Sequence, residues 1–267
     1  MTTSIAEPGN AGANEGAPRI VIVVLAPLRC GATVVSAAVA DAAAMSARTT
    51  TLVDLAPPYR SGLTLATDVG GTHVTSTPQV RLRAGIRASG ASVLRMESGD
   101  VALQTQFWGR HLVPGPGEWC AAMRGTDTVV VDLAWPVSEE LAGSGSPAAA
   151  WLDGPVAPTV PLLVVESSAS GVDRAEQLLA ALARCDLPTP VVVVPRVSKV
   201  PDLIRSAAGP RLLAVLEQTT VIPIPNDKQL ACAVIGPQPI RMFATAGARV
   251  LQAADAALAA HPRKEQP

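Results

Sequence analysis

The sequence predicts an α/β fold, a doubly wound and mostly parallel sheet with helices on both faces, and three observations lead there. Short runs rich in β-branched residues recur along the chain. They are apolar throughout rather than alternating, as strands covered on both faces must be. Helical patterns separate several of those runs, which is the order a parallel sheet with crossover helices requires. Composition supplies the core: 267 residues are 48% hydrophobic but only 3% aromatic, so alanine and valine do most of the filling.

Taken in order, residues 1–18 are rich in Gly, Ala, Asn, Glu and Pro and read as a disordered lead-in. The strand candidates are "RIVIVVLA" (19–26), "TTTLVDLA" (49–56), "TVVVDLA" (128–134), "VPLLVVES" (160–167), "PVVVVPRV" (190–197) and "TTVIPIP" (219–225). Helical patterns follow the first strand in "GATVVSAAVADAAAMSA" and occupy "GEWCAAMRG" before the third. In "SGVDRAEQLLAALARC" the residues Val172, Ala175, Leu178, Leu179 and Leu182 recur at helical spacing, with Ser170 as N-cap and Asp186-Leu187-Pro188 as the stop. "IRMFATAGARVLQAADAALAA" (240–260) reads as a last amphipathic helix, and 262–267 as a frayed tail. "AGSGSPAAAWLDGPVAPTVP" (142–161) reads as a long surface loop, not a domain boundary. No internal repeat is visible, so residues 19–261 are expected to form one domain.

Charge and cysteine content narrow the function classes. With 21 basic and 22 acidic residues the formal net charge is -1, which does not indicate a nucleic-acid coat protein. Cys30, Cys120, Cys185 and Cys232 are far apart with no C-x-x-C, so buried thiols in a reducing cytoplasm are expected. Residues 1–18 lack the pattern of a signal peptide, and no apolar run approaches the roughly 18 residues that span a bilayer. A cytoplasmic protein without a transmembrane segment is the expectation.

The chemistry, if any, centres on residues 26–33. A phosphate-binding loop of the Walker A type, G-x-x-x-x-G-K-S/T, wraps an anion in backbone N–H groups; its lysine neutralises phosphate oxygens and its hydroxyl holds Mg²⁺. Here the loop is Ala26-Pro27-Leu28-Arg29-Cys30-Gly31-Ala32-Thr33, and only Gly31 and Thr33 match. Ala32 stands in the lysine's place. The context still fits, with a buried strand before, a helix after, and N–H groups at the helix start. Arg29 is the one cation of the loop that could bend back.

These residues resemble the ParA/MinD family of deviant Walker A ATPases, whose loop is K-G-G-x-G-K-S/T. The family's two lysines fall at Pro27 and Ala32. Its D-x-D-P-Q-x motif is similar to "VDLAPPYRSGLTLATDV" (53–69): Asp54 and Pro57 match, while Ala56 replaces the water-placing aspartate. The Walker B strand resembles "VVVDLAWP" (129–136), with Asp132 as the acid. The strand leading to the adenine site resembles "VVVPRVSK" (192–199), keeping Arg196 but with Pro195 for asparagine. "VIPIPNDKQLACAVIGPQPI" (221–240) agrees with the last motif at Ile222, Pro223, Asp227 and Leu230.

The resemblance spans about residues 19–260 and implies a P-loop NTPase fold. The nucleotide-facing set it implies is Arg29, Gly31, Ala32, Thr33, Val34, Asp54, Asp132, Arg196 and Pro225, with Thr33 and Asp132 serving Mg²⁺ only if ATP and Mg²⁺ bind. It further implies a homodimer with a protein partner, and CpaE/TadZ-like degenerate members suggest pilus assembly, secretion or polar localisation, peripheral to the membrane or pole. A weakly active partitioning ATPase is the alternative, and "ATVVSAAVADAA" is also similar to the loop helix of dethiobiotin synthetases. Asp54 and Asp132 read equally as capping carboxylates, and Thr33 as a plain N-cap.

The remaining candidates are weaker. His73, His111 and His261 have no ligand spacing, and Ser61, Ser167 and Ser168 lack a nucleophile context. Phe107, Trp108 and Trp119 read as core or as a partner-binding patch. Arg81, Arg83, Arg87 and Arg95 read as a solvated face or as a patch for DNA or anionic lipid.

Overall fold

The computed structural model describes residues 17–27, 30–56, 61–67, 72–76, 81–97, 116–133, 149–154, 157–226 and 235–261. Among the described residues nine strands form one sheet: β1 (Ile20–Leu25), β2 (Thr50–Asp54), β3 (Thr72–Ser76), β4 (Arg81–Ile86), β5 (Ser92–Glu97), β6 (Thr128–Leu133), β7 (Thr159–Val164), β8 (Val191–Pro195) and β9 (Ile222–Ile224). Their order is β3-β4-β5-β2-β6-β1-β7-β8-β9. All pairs from β5 to β9 are parallel, and β4 is antiparallel to both its neighbours. All six strands expected from the sequence are present. The β3–β5 meander is additional.

The helices are α1 (Ala32–Met45), α2 (Pro116–Trp119, running into a 3-10 turn at Cys120–Met123), α3 (Ala169–Leu182), α4 (Asp202–Ser206), α5 (Pro210–Gln218) and α6 (Arg241–Ala260). Alternate strand residues sort into two cores. Ile22, Val24, Leu52 and Val130 pack with α1 and α6, whereas Val23, Val53, Val131 and Leu163 pack with Trp119, Trp151 and the apolar faces of α3 and α5. A parallel strand sandwiched this way has no polar face to offer, which is why the valine runs are unbroken.

Two expectations are corrected, and one is decided between its alternatives. The N-cap of α3 is Ser168, not Ser170: its extended backbone lets its hydroxyl accept from Gly171 N at 3.1 Å, a cap worth about 1 kcal/mol. The segment 142–161 is not wholly surface loop. Trp151 and Leu152 are buried within it, and β7 begins at Thr159. Trp151 meets Trp119 edge-on at 6.5 Å between ring centroids, so Trp119 is core.

The arginine segment is not a solvated face either. Arg87 is buried and forks onto Asp41 of α1, with Nε–Oδ1 at 2.7 Å and Nη2–Oδ2 at 2.8 Å. Its Nη1 donates to the carbonyls of Ala66 and Gly236, both at 3.0 Å. One guanidinium thus ties together α1, the 61–67 turn and the segment before α6. Arg95 is half-buried and donates to the Thr64 carbonyl at 2.7 Å. Phe107, Trp108, His111, Cys232 and the two termini (1–16 and 262–267) lie outside the described residues, as do the side chains of His73, Arg81 and Cys120.

Candidate functional site

The site sits at the carboxyl ends of β1, β2, β6, β7 and β8. The chain leaves β1 at Leu25, turns with Cys30 N donating to Pro27 O at 3.2 Å, and enters α1 through Gly31. Gly31 has φ 89°, the left-handed region that glycine occupies without cost. A Cβ there would stand 3.4 Å from the Pro195 ring, so the end of β8 backs the loop closely. Gly31 is itself the N-cap of α1 and Thr33 lies inside the helix, which removes the N-cap reading of Thr33.

Asp54 and Asp132 are register partners on adjacent strands, about 4.8 Å apart along the sheet. Both are buried and share the parity of Val24 and Val130, so they face the α1 side. Asp54 accepts from Ala56 N at 2.9 Å and from the Ser61 hydroxyl in a very short hydrogen bond. Burial nonetheless pushes its carboxyl up to about 6, against the opposing pull of Ser61, Ala56 and Arg95. Asp132 has neither oxygen paired. Burial, then the Asp54 charge, push it up to about 8; the Thr33 hydroxyl pulls the other way, although it stops short of hydrogen-bond geometry. Both causes favour the protonated form of Asp132. Because it caps nothing, the capping reading does not describe it. Asp54 does cap, closing the turn at Ala56.

Of the other expected residues, Ala32 is buried, Thr33 and Val34 are half-buried beside Gly31, and Arg29 and Pro57 lie outside the described residues with Asp227 and Leu230. Arg196 is exposed and holds φ 64°, a strained value for a residue with a side chain. Pro225 follows β9 at the rim and is half-buried. Val197 N donates to Ile224 O at 3.0 Å, which draws the two rim strands together beside the loop.

Two contributors were not anticipated. Ser61, set aside as a nucleophile, is instead the partner of Asp54. Glu166, one residue beyond the apolar run of β7, accepts from the Cys30 thiol with Sγ–Oε2 at 3.7 Å. The only signal for it was a lone charge ending a run of valines.

The chemistry of this donor set divides in two. The unpaired Asp132 oxygens and the Thr33 hydroxyl suit a hydrated cation. On the phosphate side, Ala32 and Pro27 bring no charge, Pro27 has no N–H, the Cys30 N–H is spent within the turn, and a carboxylate stands against Cys30. The described residues therefore do not fit a tightly held Mg²⁺–triphosphate. They set acids on both sides of the loop, with Arg95 acting on Asp54 and Arg174 and Arg196 acting on Cys30.

No protein-family model matches the chain, and no curated protein matches it in sequence. Solved structures do match in fold. The cell division ATPase MinD of Pyrococcus furiosus superposes with a TM-score of 0.59 at 16% identity, over 89% of this chain and 98% of that one. MinD in the Aquifex aeolicus MinC:MinD cell division complex gives 0.57 at 16%, over 93% and 98%. An ATP complex of Cyanothece McdA gives 0.57 at 14%, over 94% and 100%. The fold is that of the MinD/ParA-type P-loop NTPases.

Proposed function

We propose that this chain is a non-catalytic counterpart of the MinD/ParA-type ATPases, a pseudo-ATPase acting as a scaffold or positioning factor. The observation that carries the reading is the loop itself: Ala32 stands where the family has a lysine, while Asp132 at the end of β6 is buried with both oxygens unpaired. Phosphoryl transfer depends on positioned charge, and removing one such group costs roughly 3–4 kcal/mol of barrier. Here the loop lysine and the water-placing aspartate are both alanine, at Ala32 and Ala56.

What remains is a rigid frame able to present surfaces. The Aquifex neighbour is in complex with a partner protein, which supports the same use here. A homodimer with a protein partner of a pilus, secretion or partitioning system, held peripherally at a membrane or pole, fits that role. Among the described residues no helix is long and apolar enough to cross a membrane, so any membrane contact of these helices would be at its surface.

A second reading, a weakly active ATPase, is favoured by the Asp132 oxygens alone, which match a cation's needs. One experiment separates the two: phosphate release from ATP with Mg²⁺, alongside thermal stabilisation by ATP. The expected outcome is release no faster than the buffer blank. Turnover that disappears in Asp54→Ala and Asp132→Ala would replace the scaffold reading with the enzyme.

A further inference from the structure

One register row crosses the sheet near the carboxyl ends of its parallel strands. Arg83 of β4, Arg95 of β5, Asp54 of β2 and Asp132 of β6 are successive partners along it. Register partners on adjacent strands share a face, so the row sets two cations beside two acids. Arg95 stands at the join. On one side it meets the like charge of Arg83 directly across the hairpin, a pairing that costs stability. On the other it acts on Asp54, whose carboxyl burial raises and whose charge Arg95 favours, together with Ser61 and Ala56.

The turn 61–67 bridges Asp54 and Arg95, and the chain's own groups tie it down. Ser61 donates its hydroxyl to Asp54 and accepts from Leu63 N at 3.0 Å. Arg95 Nη1 donates to the Leu63 and Thr64 carbonyls at 3.3 and 2.7 Å. Ile235 N donates to the Gly62 carbonyl at 3.2 Å, and Arg87 Nη1 to that of Ala66 at 3.0 Å. A Cβ at Gly85 would stand 2.7 Å from the Thr67 side chain, so the turn also packs on bare β4 backbone. Arg95 reaches both partners: its charge serves the acid, and its N–H groups make charge-assisted bonds to the turn.

We propose that Arg95 is the resident cation of the acid pair, a positioning residue that holds the turn 61–67 on Asp54 without help from a nucleotide. This deepens the scaffold reading and rests on it. The surface beside the site is fixed by internal charge, so the frame is constitutive and no ligand is needed to order it.

Backbone hydrogen exchange of the full chain tests this, read at Leu63 and Ile235, whose N–H groups close the turn. Arg95→Gln, which removes the charge, should speed exchange at both by about tenfold or more. Val172 in α3, bonded to the Ser168 carbonyl on the other face, should not change and so reports an intact fold. Arg95→Lys, which keeps the charge and loses the fork, should recover part of the protection. In the parent, ATP with Mg²⁺ should leave both rates as they are. Unchanged exchange in Arg95→Gln, or no recovery in Arg95→Lys, overturns the role of Arg95. Slower exchange in the parent on adding ATP with Mg²⁺ overturns the ligand independence. Should Arg95→Gln fail to fold, Arg95→Lys must by itself exchange faster than the parent at both amides, or the proposal falls. Phosphate release from ATP by the parent would instead overturn the scaffold reading and leave the comparison of parent with variants standing.

Discussion

Asp41 and Asp132 are both buried on the α1 side of the sheet, and the two are treated in opposite ways. Asp41 receives two guanidinium N–H groups from Arg87 and the Ser89 hydroxyl at 2.5 Å. Asp132 receives nothing, and its neighbour across the strand is another acid. The first site is a solved electrostatic problem and holds three segments together. The second pairs two acids across adjacent strands, with Arg95 acting on Asp54 and no cation acting on Asp132 among the described residues. Charge satisfied marks structure here, and charge left over marks the candidate site.

The comparison breaks most sharply at Arg87. Arg87→Met leaves Asp41 buried without a counter-charge and frees two carbonyls, so urea denaturation should show a loss of about 3–5 kcal/mol. Adding Asp41→Leu to that variant should restore part of the loss, because the stranded acid is then gone.

The pH dependence comes next. Both Asp54 and Asp132 titrate above the ordinary carboxylate range when folded, at about 6 and about 8. The folded protein thus keeps protons that the unfolded chain has already released. Stability from this source is full below roughly pH 4 and is lost as pH rises toward roughly 8. Asp132→Asn should flatten that slope, with its smallest effect below pH 4 and a gain that grows toward pH 8, read from denaturation curves across the range. An unchanged slope would mean that the pair is not the source.

The smallest effect is expected at Ser61, which gives Asp54 the partial relief Asp132 lacks. Ser61→Ala should cost about 1 kcal/mol at pH 7 and less at pH 5, where a protonated Asp54 has less need of the donor.

How much of this was legible beforehand varied with the range of the interaction. The parallel strands announced themselves, since burial on both faces leaves an uninterrupted run such as Val129–Val131. β4 and β5 did not, because Arg83 and Arg95 interrupt the apolar pattern and draw the eye to charge, although they are cross-strand partners in a hairpin. Nothing local marks Arg87 as buried: its partner lies 46 residues upstream in an alanine-rich helix. Asp54 and Asp132 were found through resemblance, but their shared burial and missing partners are properties of the packed sheet. Glu166 depends on a contact across 136 residues, beyond the reach of any spacing rule.

The crossing of α1 and α6 has a consequence for biosynthesis. A methyl group at Gly247 would overlap the Ala38 carbonyl oxygen, so the two helices meet there backbone to backbone, and Arg48 clasps Asp255 near the far end at 2.6 Å. α1 leaves the ribosome well before α6, and its apolar flank has no cover until α6 has been translated. At about 5–20 residues per second, the delay between residues 38 and 247 lasts on the order of 10–40 s, and through that interval the emerging polypeptide exposes a sticky alanine-valine surface that a chaperone would recognise.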